Sequence, residues 1–163
     1  MNVRNCGELG LDLQKIVKRL LANQNFLKLL YYTDKNPLAN QDLTDEQKKN
    51  EIYQKLLKIV PIIDPLETSQ SMVSMSVVKG SVIDDNTEFL SLYINFEVFV
   101  PLTQWIIKDE NLRPFAIIGE IQNSLNGKTI NGLGKLEFGG FDKNFSTEEM
   151  SCYTVDFFIT QYV

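Results

Sequence analysis

Residues 112–138 read LRPFAIIGEIQNSLNGKTINGLGKLEF, and this stretch decides the fold. Pro114 suits the first turn of a helix, where no backbone N–H is needed for an intrahelical bond. Four apolar residues then recur with the period of an α-helix: Ile117, Ile118, Ile121 and Leu125. Gly127, after Asn126, is the residue type that ends a helix in a left-handed conformation. The sequence therefore predicts an amphipathic helix of about three turns.

The glycines that follow this helix are interpreted as turn residues. Residues 131–134 (NGLG) predict a tight bend, and Leu136 and Phe138 have the two-residue spacing of a strand. A phosphate-binding loop carries its glycines before a helix, because the N-terminal amides of the helix face the anion. Here the order is reversed. The unit is therefore helix, turn and strand, without a phosphate site.

Composition excludes several classes of function. The 163 residues fit one domain, here 1–163, and include no His and two Cys. Triads that need His, Cys/His zinc sites and imidazole bases are therefore excluded. Cys6 and Cys152 are too few for a disulfide framework, and Cys152 is predicted to be buried in a strand. We expect no cofactor, no metal and no enzymatic activity.

The N-terminal sequence and the charge distribution also limit the possibilities. No apolar run approaches the ~20 residues of a membrane span, and no signal-peptide pattern is present, so a cytosolic protein is expected. The net charge is −5. Residues 1–60 hold ten Lys and Arg against seven Asp and Glu, whereas residues 61–163 hold six against fourteen. An acidic C-terminal part disfavours binding to phosphate backbones.

The N-terminal third is predicted to be helical. Apolar residues recur through an N-terminal helix at 12–32, with Asp12 as its N-cap, and residues 33–46 have the composition of an exposed linker. Thr44 and Gln47 have the spacing of a capping box, which indicates a second helix over about 45–59.

Residues 70–163 are predicted to form the sheet. Alternating patterns indicate strands at 72–78 and 89–100, joined by a hairpin loop over 79–88, and a last strand from Tyr153. Residues 141–145 are predicted to be a loop. The result is an α+β domain: an antiparallel or mixed sheet of about four strands with helices packed on one face.

Several segments resemble the small tail-terminator or neck proteins of tailed bacteriophages. They are LLYYTDKNPL from Leu29, DLTDEQKK from Asp42, LRPFAIIGEI from Leu112, NGLGKLEF from Asn131 and CYTVDF from Cys152. The resemblance implies a structural protein of the virion that is assembled in the host cytoplasm. Such a protein forms a ring, usually a hexamer, that closes the tail tube and joins it to the head connector. It implies as partners other copies of the chain, a tail tube or sheath protein and the connector, with DNA passing through without specific binding.

Candidate interface residues are polar residues at a hairpin tip and aromatic residues outside the apolar stripes. They are Asp84, Asp85, Asn86, Tyr93, Phe99, Trp105, Phe141 and Phe145. Tyr93 and Phe99 are expected on the outer face of their strand, and Trp105 is interpreted either as an interface residue or as a core anchor. Two alternatives to the ring subunit remain. The second hypothesis is a small protein-binding module without catalytic activity, and the third is an enzyme that uses paired carboxylates.

Overall fold

A computed structural model describes residues 6–59, 69–83 and 86–162. Helix α1 spans Leu9–Leu21, α2 spans Gln24–Tyr31 and α4 spans Arg113–Leu125. Helix α3 begins as an α-helix over Asp45–Gln47 and continues as a π-helix over Lys48–Leu56. Within the described ranges, no helix combines the length and apolar character that a membrane crossing requires.

Six strands form one mixed sheet in the order β1-β2-β3-β6-β5-β4. The strands are β1 Leu57–Lys58, β2 Met72–Ile83, β3 Asn86–Pro101, β4 Thr129–Ile130, β5 Gly134–Ser146 and β6 Met150–Tyr162. β1 pairs parallel to β2, and every other pair is antiparallel. Four long strands therefore form an antiparallel sheet with a two-residue strand at each side.

The core lies between one face of this sheet and the helices. The even-numbered residues of β3 are buried: Leu90, Leu92, Ile94, Phe96, Val98 and Val100. Their partners on β6 include Val155, Phe157 and Ile159, which are buried as well. Helix α4 covers this face with its apolar stripe and packs against α1, α2, β3 and β5. The predicted face assignment of β3 is confirmed for these even positions.

The predicted turn chemistry is also confirmed. Pro114 lies in the first turn of α4. Gly127, Gly132 and Gly134 have φ values of 73°, 89° and 105°, which only glycine adopts without strain. The Thr44–Gln47 capping box is present, with both reciprocal hydrogen bonds. These residues set the ends of helices and strands that the sequence predicts.

The predicted helix at 12–32 is wrong, because two helices occupy that range. Asn23 has an extended backbone (φ −95°, ψ 100°), and its side-chain oxygen accepts a hydrogen bond from Phe26 N, so it begins a new helix. Its amide donates to Glu120 Oε2 and Ser124 Oγ of α4, both at 2.9 Å. Asp12 is not an N-cap either: it lies inside α1, where it pairs with Lys15.

The predicted number of strands and several of their limits also need correction. The sheet has six strands instead of four, because β1 and β4 are too short to give an alternating pattern. β2 extends to Ile83 and so includes residues 79–83, which the sequence pattern assigns to a hairpin loop. Residues 141–145 lie in β5 and not in a loop. Register shifts between Phe138 and Gly140 and between Lys143 and Phe145 mark bulges, which hide the alternation of β5.

Cys152 is fully buried, as predicted, and gives a simple test of the fold. Burial raises the pKa of its thiol to about 12, whereas Cys6 is exposed. A thiol reagent at pH 8 is therefore expected to label one Cys per native chain and two after denaturation. A Cys6→Ser control should lose the native labelling. Rapid labelling of both thiols in the native protein would contradict the burial of Cys152.

Candidate protein-contact surface

Four aromatic rings meet where the N-terminus of α4 crosses β5 and β6. The ring centroids of Phe115 and Tyr153 are 5.2 Å apart, and those of Phe115 and Phe141 are 5.7 Å apart. Tyr153 also lies 6.2 Å from Phe141 and 6.3 Å from Trp105. We call these four residues the aromatic surface. Edge-on and tilted contacts of this kind are favourable for aromatic pairs.

The aromatic surface is open to solvent on one side. Phe115 is 37% exposed and Phe141 48% exposed, while Trp105 and Tyr153 are half-buried. Leu102 and Ile106, beside Trp105, are 40% and 58% exposed. Single exposed apolar residues are common, but a contiguous group of aromatic side chains is the composition of a protein-binding site.

The segment between β3 and α4 supplies one side of this surface. A 3₁₀ turn over Leu102–Gln104 precedes Trp105, and Ile106 forms an isolated β-bridge with Leu112. The turn between them holds Asp109 and Glu110 at φ values of 61° and 59°. Two consecutive left-handed residues without glycine are strained, so the neighbouring contacts must hold the segment in place.

Arg113 is the main anchor of that segment. Its side chain is fully buried and donates four hydrogen bonds, all to backbone carbonyls. The acceptors are the carbonyl oxygens of Leu29 (2.6 Å), Asp34 (2.7 Å), Tyr32 (2.8 Å) and Gln104 (2.9 Å). The first three lie at and just beyond the C-terminus of α2, where carbonyls lack helical donors and a cation is favourable.

The chemistry of Arg113 explains why an arginine is required there. Burial lowers the pKa of its guanidinium, but arginine stays charged at physiological pH. Its guanidinium spreads five donors over three nitrogens and so reaches carbonyls on several sides, whereas the three donors of lysine share one nitrogen. Arg113 N also donates to Trp105 O at 2.8 Å. Arg113 therefore ties α2, the connecting segment and the start of α4 together below the aromatic surface.

A shallow depression of about 440 Å³ lies beside Trp105. Its lining consists of Lys35, Leu102, Thr103, Trp105 and Ile106. Gln104, within the same turn, is buried and donates to Ser69 O while accepting from Ser71 Oγ. The turn that carries Leu102 and Thr103 is therefore held by buried hydrogen bonds, and Lys35 is the cation among the lining residues.

Tyr93, one of the predicted interface residues, lies on the opposite face of the sheet. Its ring stacks on Phe158 with centroids 5.1 Å apart and planes 14° from parallel. A Cβ added to Gly139 would lie 2.3 Å from a ring atom of Phe158, so this glycine leaves the space the ring occupies. A hydrogen bond to Asp156, with burial, raises the pKa of Tyr93, and Asp156 Oδ1 also accepts from Asn95 at 2.9 Å. This pair is separate from the aromatic surface.

Phe99 lies on the same face of β3 as Tyr93, as predicted, but it is too buried to contact a partner, so its assignment as an interface residue is wrong. It is 1% exposed, because Met72 and Cys152 flank it on the neighbouring strands and the Phe145 ring lies 6.1 Å away. Phe145 is half-buried and packs on the core. Burial raises the pKa of Glu97 on the same face. Phe99 and Phe145 therefore belong to the interior of the subunit.

The remaining predicted site residues are those of the hairpin tip and two aromatic residues of the aromatic surface. Asp84 and Asp85 lie outside the described residues, and Asn86 is the first residue of β3. Trp105 and Phe141 are brought together by Phe115 and Tyr153, which sequence reasoning missed. A signal existed for Phe115, since it precedes the apolar stripe of α4.

In the part of the chain that the structure covers, no group of three or more His, Cys, Asp or Glu could hold a metal ion.

Comparison with known families places the chain. The family model YomW matches residues 23–159, which is most of the sequence and includes every residue of the aromatic surface. The chain belongs to the YomW family. The family name derives from a Bacillus prophage, which points to a phage protein. A search of curated proteins gave no match.

Proposed function

We propose that this YomW-family chain is a structural subunit of a bacteriophage neck. In this role it closes the tail tube as a ring, a hexamer by its resemblance to tail-terminator proteins, and joins the tube to the head connector. The observation that carries the proposal is the aromatic surface, an exposed group of rings on a rigid support. The prophage-derived family name supports a phage context. The protein would act through the proteins it touches, without catalysis.

The charge on the helix-free face of the sheet is compatible with DNA passing through such a ring. Among the described residues, pairing places four carboxylates and three cations there. They are Glu97, Glu137, Asp142 and Asp156, with Lys58, Lys79 and Lys135. Tight DNA binding depends on neutralising phosphates with an excess of cations, and this face has no such excess. The proposal therefore needs no specific DNA contact.

Virions provide the test of this proposal. In virions of a phage that encodes the chain, an antibody against it should label the junction between head and tail. Deletion of its gene should give heads and tails that fail to join, and expression of the wild-type protein in trans should restore infectious particles. Infectious virions that lack the protein would contradict the proposal.

A protein-binding module without catalytic activity is the second candidate. The depression beside Trp105 favours it, because a mostly apolar recess on a held turn is open to an unrelated partner as well as to a virion protein. In that case the protein would remain in the host cytoplasm, bound to its partner. Its absence from purified virions, with a stable complex in infected cells, would support this candidate over the first.

A further inference from the structure

We propose that copies of this chain join head to tail, with the β2 edge of one sheet meeting the β5 edge of the next. The inference rests on the ring proposed above and specifies the two surfaces that meet. Because the surfaces differ, the contact is heterologous and can close into a ring.

Among the described residues, both outer long strands leave part of one edge without a neighbouring strand. β1 pairs only with Val73 and Ser74 of β2, and β4 pairs only with Gly134 and Lys135 of β5. Residues 126–128 also bond to the backbone of Leu136 and Phe138, so the β5 edge has no described strand beside it beyond Phe138, and the β2 edge has none from position 75. These strands lie on opposite sides of the sheet, so one copy can contact two neighbours at once.

Each open edge carries exposed apolar side chains. On β2, Val78 is 55% exposed and Val82 is 43% exposed. On β5, Phe141 is 48% exposed and adjoins Phe115 within the aromatic surface. Burying these groups against each other would remove apolar area from water at both edges.

The two edges also match face by face. Val82 pairs with Leu90, and Phe141 with Val155, so both side chains lie on the face that carries the helices. Lys79 pairs with Tyr93, and Asp142 with Thr154, so both lie on the opposite face. A continued sheet therefore brings apolar side chains together on one face and a cation to a carboxylate on the other.

Strand direction agrees with this arrangement. Successive antiparallel pairing of β2, β3, β6 and β5 makes β5 antiparallel to β2. A second copy in the same orientation thus presents its β2 antiparallel to β5, with its helices on the same face. A symmetric β2–β2 contact is less favourable, because Lys79 is the only charged residue of β2 and would meet its own copy.

Bulges limit how the edges can pair. β2 has register shifts between Val77 and Lys79 and between Val82 and Ile83, and β5 also has two. Bulges and edge lysines discourage unrestricted strand addition. The contact is therefore assigned to the residues between the bulges, with Val82 and Phe141 on one face and Lys79 and Asp142 on the other, and not to a ladder along the whole edge.

Two variants that each block one edge test the inference. Val82→Asp and Phe141→Asp should each lose the ring and elute as single chains, with unchanged circular dichroism. Mixed at equal concentration, they should form a heterodimer of twice the 18.7 kDa chain mass, since each supplies one intact edge. Native mass spectrometry distinguishes these species. The control is Leu11→Asp, which changes an apolar residue of α1 that is 73% exposed and should leave assembly intact.

A charge exchange tests the polar half of the contact. Lys79→Asp should weaken assembly, and the Lys79→Asp/Asp142→Lys double variant should restore it. If the contact were symmetric through β2, Phe141→Asp would form a dimer by itself and mixing would give no heterodimer; this result would overturn the inference. A wild-type protein that is a single chain at every concentration would also overturn it. If the heterodimer forms but virions lack the protein, the neck function fails and the inference stands.

Discussion

Replacing Arg113 with Ala is expected to lower the free energy of unfolding by about 3–5 kcal/mol. The side chain is fully buried and its four hydrogen bonds end on the carbonyls of Leu29, Tyr32, Asp34 and Gln104. Its removal leaves these acceptors in a space without donors and opens a cavity as well. Urea denaturation followed by circular dichroism measures the change.

Two matched variants make this result interpretable. Arg19→Ala removes an arginine that is exposed on α1 and should change the free energy of unfolding by less than about 0.5 kcal/mol. Arg113→Lys keeps the charge but not the planar guanidinium. Its loss in free energy of unfolding should therefore lie between those of Arg19→Ala and Arg113→Ala. A loss below about 1 kcal/mol for Arg113→Ala would mean that the guanidinium does not tie α2 to α4.

Replacing Phe96 with Ala is expected to cost about 3–5 kcal/mol. Phe96 is fully buried, and its ring meets that of Phe157 edge to face with centroids 5.8 Å apart. The substitution leaves a cavity between the sheet and the helices that rigid neighbours cannot fill. The same denaturation experiment gives the value.

The control for Phe96 is Phe158→Ala on the other face of the sheet. Phe158 is 47% exposed, and its ring stacks on Tyr93 and lies over Gly139, so its loss should cost about 1 kcal/mol. Equal costs for the two substitutions would contradict the placement of Phe96 in the core and of Phe158 on a more open face.

Local rules in the sequence were sufficient for the elements that bury one regular stripe. The period of Ile117, Ile118, Ile121 and Leu125 gave α4, because a helix against a sheet buries every third or fourth residue. The alternation in β3 identified its buried face, because successive side chains of a strand point to opposite faces of the sheet. Gly127 and Gly132 could be assigned as turn residues because positive φ is costly for other residues.

Features that depend on contacts distant in sequence could not be predicted. Asn23 looked like one polar residue within a helix, and its role as a cap depends on Glu120 and Ser124, about a hundred residues away. The bulges of β5 interrupt its period, so 141–145 was predicted as a loop. Phe99 alternates with the core residues of β3, yet neighbours on both adjacent strands bury it.

The candidate site was predictable only in part for the same reason. Trp105 and Phe141 could be singled out as aromatic residues outside the regular stripes. That they meet, through Phe115 and Tyr153, follows from the packing of α4 across β5 and β6. The edge positions of β2 and β5 depend on strand order, which no local pattern encodes.

The molar mass of the purified protein, measured by light scattering over a range of concentrations, tests most directly whether this chain works through contacts with its own copies. The account predicts a mass that is a fixed multiple of 18.7 kDa and that falls to the mass of one chain in Phe141→Asp. A wild-type protein that stays at 18.7 kDa at every concentration would contradict it.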